Sequence, residues 1–105
     1  MNLKKVEQSF KTRYSEGYME IMKGFPKTIK NLDFSEYSGR LTTLQHNVVE
    51  DVIKEQEIDP NIYPVISGLG IDINTFIMSM TLDVYLEFDR DFKKRCQELV
   101  NKLDA

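Results

Sequence analysis

The chain has no tryptophan, one histidine and one cysteine among its 105 residues. The single cysteine, Cys96, cannot close an internal disulfide, and together with the single histidine, His46, it cannot build a Cys/His zinc site. No apolar run approaches the roughly 18 residues that would suggest a membrane span. Glycine is also scarce. The only close pair, in Gly68-Leu69-Gly70, lacks the further glycines and the lysine or following helix that phosphate and dinucleotide loops need. No serine-nucleophile motif, internal repeat or low-complexity tract is present. The start, Met1-Asn2-Leu3-Lys4-Lys5, runs into a mixed polar segment rather than an apolar signal core, so the expected location is the cytoplasm. No cofactor is expected.

What is present fits an ordinary globular protein. Apolar residues make up 41% and charged residues 30% of the chain, and a chain of this length is expected to form a single domain over residues 1–105 with a core that needs no staples. The net charge of −3 is unevenly distributed. Residues 1–30 carry seven Lys/Arg against three Asp/Glu, and residues 31–105 carry seven against fourteen. Such a split marks either a basic arm or an acidic face.

Four stretches carry periodic signals. From Leu3 to Phe25, apolar residues recur in steps of three and four (Val6, Phe10, Tyr14, Tyr18, Ile21, Met22), which predicts a helix with Asn2 as N-cap and a stop at Gly24 and Pro26. Gly17 lies inside it. Asp33 with Glu36 resembles a capping box and opens a second helix to about Gln56 along Phe34, Tyr37, Leu41, Leu44, Val48 and Val52. Pro64 limits Ile62 to Ser67 to an edge strand or no strand. Asp89 can cap a last helix carrying Phe92, Cys96, Leu99, Val100 and Leu103.

Between these lies Thr75 to Asp89, where Phe76, Met78, Met80, Leu82, Val84, Leu86 and Phe88 alternate with mostly polar residues. Only Ile77 and Tyr85 interrupt the rhythm. A two-residue period predicts a strand with one apolar face. The expected fold is therefore α+β: two N-terminal helices, a short antiparallel sheet containing one long strand over about residues 75–88, and a C-terminal helix. The alternative keeps Ile73 to Leu103 as one long helix in an all-α bundle, since Phe76, Met80, Val84, Phe88, Phe92 and Cys96 step by four. That arrangement leaves Met78, Leu82 and Leu86 on the wrong side.

A strand of this length spans about 50 Å at about 3.4 Å per residue, against a radius of gyration of about 13 Å for a domain of this size. It lacks neighbours within its own chain, which points to a homodimer or a sheet completed by another protein. The expected partner-binding residues are Asp83, Tyr85, Glu87 and Asp89. The expected function is a non-enzymatic protein-binding or regulatory module acting by protein contact, with no membrane partner. One alternative is nucleic-acid association through Lys4, Lys5, Lys11 and Arg13 on the first helix, although Glu7, Glu16 and Glu20 interleave with them. Another is an enzyme using the carboxylates Asp83, Glu87, Asp89 and Asp91 at the end of the strand. His46 and Glu50, four apart on a helix, are too few for a metal site and read as a solvated face. Cys96 reads as a small hydrophobe on an apolar stripe.

Overall fold

The computed structural model describes residues 2–59 and 72–103. Within them the chain forms α1 (Leu3–Met22), a 3-10 turn (Ile29–Asn31), α2 (Phe34–Glu55), α3 (Ile73–Met80) and α4 (Leu82–Asn101). No strand occurs among the described residues, so the expected α+β fold with an antiparallel sheet is replaced by an all-helical one. The edge-strand stretch Ile62 to Ser67 lies outside the described residues.

Both expected N-caps are in place. Asn2 accepts from the Lys5 amide at 3.2 Å and Asp33 from the Glu36 amide at 3.0 Å. A third cap, which the strand reading hid, is Asp72, whose carboxylate accepts from the Thr75 amide at 2.7 Å and starts α3. Asp89, expected to cap the last helix, lies instead well inside α4.

The segment read as a long strand is α3 and the first turns of α4, joined through a bend at Thr81. Thr81 is buried, its hydroxyl donates to the Ile77 carbonyl at 2.6 Å, and its own carbonyl accepts from both Val84 and Tyr85. Its backbone leaves the helical region (φ −103°, ψ 10°), so α3 stops at Met80 and α4 begins at Leu82, with the back-bonded hydroxyl holding the junction. The two-residue rhythm is two four-step ladders interleaved. Ile73, Ile77, Thr81, Val84, Phe92, Cys96 and Leu99 are buried, while Leu82 and Leu86 are 46% and 38% exposed. The two residues that break the alternation therefore behave as helix packing requires: Ile77 is fully buried, and Tyr85 packs against the core. Coiling also satisfies the backbone within the segment, so no external strand is needed.

The bundle runs up, down and up. Arg13 and Ser9 of α1 meet Glu55 near the end of α2, and the Tyr37 hydroxyl near the start of α2 donates to the Gly24 carbonyl just past α1, so the two helices are antiparallel. In α4, Tyr85 packs on Tyr14 and Phe92 on Phe25, so this helix runs parallel to α1. Val6, Phe10, Tyr14, Tyr18 and Met22, one per turn of α1, form the buried spine. Phe10 stacks on Tyr14 at 5.5 Å between ring centroids, and Phe88 leans on Tyr14 and Tyr18 at 5.3 and 5.0 Å. A second aromatic group, Phe25, Phe34, Tyr37 and Phe92, closes the end where α1 turns into α2. The molecule is long and thin, 56 × 22 × 20 Å, with a radius of gyration of 16.5 Å.

Gly17 sits where α1 crosses α2. A Cβ there would lie 2.4 Å from Cδ1 of Leu44, so the bare backbone permits the close approach.

Candidate functional site

The four expected partner-binding residues do not share a surface. Positions 83 and 87 fall on one side of α4 and positions 85 and 89 on nearly the opposite side, because two helical steps turn about 200°. Asp83 and Glu87 are exposed. Tyr85 and Asp89 turn inward, where both line a small cavity with Tyr14, and Asp89 also accepts an ion pair from Lys93 at 2.8 Å. Asp91 is drawn into a different cluster. It accepts from the Tyr18 hydroxyl and from Arg95 Nε at 2.8 Å, and these donors, Tyr18 first, hold its carboxyl below the usual range. The acidic quartet is thus dispersed, and no group of three or more His, Cys, Asp and Glu that could hold a metal occurs among the described residues.

On the outer side of α4, Leu82 and Leu86 stand one turn apart, and Met78 lies half-buried one turn earlier across the bend. Asp83 and Glu87 flank the two leucines, each immediately following one. The result is a narrow apolar ridge bordered by Asp83 and Glu87 and followed, one turn beyond Leu86, by the exposed Arg90. Sequence reasoning placed Leu82 and Leu86 on a common buried face with Val84. Their four-residue spacing was the available signal that they form a ladder of their own.

The basic residues of α1 are also divided. Arg13 faces α2, with Nε 2.9 Å from Glu55 and Nη1 4.0 Å from Asp51. Hydrogen bonds from Ser9 and then Arg13 lower the Glu55 pKa. These residues, with Lys5 and Gln56, line an open polar groove of about 510 Å³ in which the cations and carboxylates balance. Lys4 and Lys11 lie on another strip of α1 with Glu7 between them. This arrangement gives no continuous basic stripe of the kind a phosphate backbone requires.

His46 and Glu50 are exposed on the outside of α2. Cys96 is buried among the core side chains, and burial pushes its thiol pKa up, away from the thiolate a nucleophile needs. No helix among the described residues is long and apolar enough to cross a membrane. Compared with known proteins, the chain matches no family model, no curated protein and no solved structure.

Proposed function

We propose that this chain is a non-enzymatic helical module that binds another protein through the outer ridge of α3 and α4. The observation that carries this reading is the pair Leu82 and Leu86, large apolar side chains left 46% and 38% exposed one turn apart near the start of α4, where Val84 between them is buried. Covering such leucines is worth roughly 1 kcal/mol each, about half the value of a fully buried side chain. Asp83 and Glu87 at the border favour a partner that brings an apolar helix face flanked by lysine or arginine. The α1 helix of a second copy does not meet that description, because its apolar stripe is already buried in its own bundle. The orphan strand that argued for a homodimer is itself replaced by helix. The setting that suits the lone, buried Cys96 is a reducing one, and we place the protein in the cytoplasm.

The test is a photo-crosslinking residue placed at position 86 and, in a parallel protein, at the exposed position 98 further along the same helix. A partner joined at position 86 through a basic amphipathic segment, absent at position 98 and lost in the Asp83→Lys/Glu87→Lys protein, supports the reading. Equal capture at both positions, an acidic partner segment, or capture of a second copy refutes it.

A further inference from the structure

The charged residues of α4 fall into two sets. Two pairs close within the helix, Lys93 with Asp89 at 2.8 Å and Arg95 with Asp91 at 2.8 Å. Asp83, Glu87, Arg90 and Lys94 are all exposed, and none of them closes an ion pair among the described residues, although the charge of Lys94 is felt at Asp91. Their spacing of four, three and four keeps them in one row, within about 60° of the helix circumference, beside Leu82 and Leu86. The row is sorted by sign, with two carboxylates toward the start of α4 and two cations toward its middle. Asp83 and Glu87, and likewise Arg90 and Lys94, are thereby like-charged neighbours one turn apart, an arrangement that disfavours an isolated helix. The helix dipole offsets this only for Asp83, in the first turn, because its influence fades beyond the terminal turns.

We infer that the segment received by the Leu82 and Leu86 ridge is a bipolar amphipathic helix, its basic end lying over Asp83 and Glu87 and its acidic end over Arg90 and Lys94. This rests on the ridge reading above and adds a direction to it. Charges sorted in this way attract a partner in one orientation and reject the reversed one, in which like charges meet. A helix is itself steadied by acids in its first turn and bases in its last, so the segment starts acidic, ends basic and runs antiparallel to α4. A second copy of α4 has that charge order but fails on the leucines. Pairing Asp83 with Lys94 and Glu87 with Arg90 between antiparallel copies sets Leu82 opposite Arg95 and Leu86 opposite Asp91, two charged residues that already bind each other. Bringing the leucines together instead sets Arg90 opposite Met78. A second copy therefore matches the charges or the ridge, whereas a different chain can match both.

The probes are two stapled helical peptides of about five turns with the same composition and the same leucine stripe. One carries glutamates in its first half and lysines in its second; in the other the two charges alternate. The sorted peptide is expected to bind the intact chain about tenfold more tightly than the alternating one, as four exposed ion pairs provide, and to lose that advantage in about 1 M salt. A nitroxide on its C-terminus should broaden the backbone amides near Asp83 and spare those near Lys94. In the Asp83→Lys/Glu87→Lys/Arg90→Glu/Lys94→Glu protein, changed only at exposed positions, the broadening should move to the other end. Equal affinity for the two peptides, with both losing binding in Leu86→Asp, overturns the bipolar partner while the ridge stands. Absence of binding by either peptide overturns both readings. A chain that sediments as a dimer without peptide, and as a monomer in Leu86→Asp, gives the surface to a second copy and overturns the inference.

Discussion

Replacing Gly17 by alanine isolates the crossing of α1 and α2, because two effects of known size oppose each other there. In an open helix the change stabilises by about 1 kcal/mol, since glycine is the poorer helix former. At this position the new Cβ would lie 2.4 Å from Cδ1 of Leu44, 3.1 Å from Cδ2 and 3.2 Å from Cγ. Unstrained carbon contacts are about 3.5 to 4.0 Å, so all three atoms are too close, and since they belong to the one Leu44 side chain the cost is set by how far that side chain can shift as a whole. Overpacking of this kind costs about 1 to 3 kcal/mol. The balance for Gly17→Ala is therefore a loss of roughly 0 to 2 kcal/mol, the sum of those two effects. Shortening Leu44 to alanine removes the obstruction, and in that background Gly17→Ala should stabilise by about 1 kcal/mol. Urea unfolding of the four proteins in the double-mutant cycle gives the coupling directly. If Gly17→Ala stabilises the parent and the Leu44→Ala protein equally, the helices do not cross where the reasoning puts them.

Three further outcomes follow from the same packing. Among Leu82, Val84 and Leu86, substitution by asparagine should be costly only at Val84, by about 2 to 4 kcal/mol for a buried polar group, with the outer two within about 1 kcal/mol of the parent; equal losses at all three would restore the strand. Tyr37→Phe should cost about 1 kcal/mol by urea unfolding, since the Gly24 carbonyl loses a 2.6 Å hydrogen bond while the ring contacts remain; an unchanged midpoint would show that bond to be idle. Asp91 titrates below its ordinary value because Tyr18 and then Arg95 stabilise its charged form. Its contribution is thus complete above the unfolded carboxyl value of about 3.9 and is lost as pH falls toward the folded value. Unfolding midpoints measured on descending from about pH 6 should fall less steeply in Tyr18→Phe than in the parent, and parallel curves would remove Asp91 from the acid limb.

The first half of the fold is legible in the sequence because local and tertiary signals agree there. Asn2 and Asp33 cap as their positions suggest, and the steps Val6, Phe10, Tyr14, Tyr18 and Tyr37, Leu41, Val48, Val52 are the buried stripes of α1 and α2. The second half misleads for a definite reason. An apolar ladder that packs, interleaved with the apolar Leu82 and Leu86 that do not, produces every second residue apolar, the mark of a strand. What counts in the sequence against the all-helical alternative is Met78, Leu82 and Leu86, and the structure leaves the two leucines exposed and Met78 half-buried. The feature that hid the helix is the one that now marks the proposed contact surface. The bend at Thr81 and the inward turn of Tyr85 and Asp89 depend on where α1 and α2 stand in space, which periodicity within one segment does not report.

The most direct test of the account is the set of backbone Cα chemical shifts of the intact chain from residue 73 to residue 101. Shifts displaced toward helical values from Ile73 to Met80 and from Leu82 to Asn101, with a local departure at Thr81, are expected. A run of extended-backbone shifts from Phe76 to Phe88 would contradict the helical ridge and the contact surface built on it.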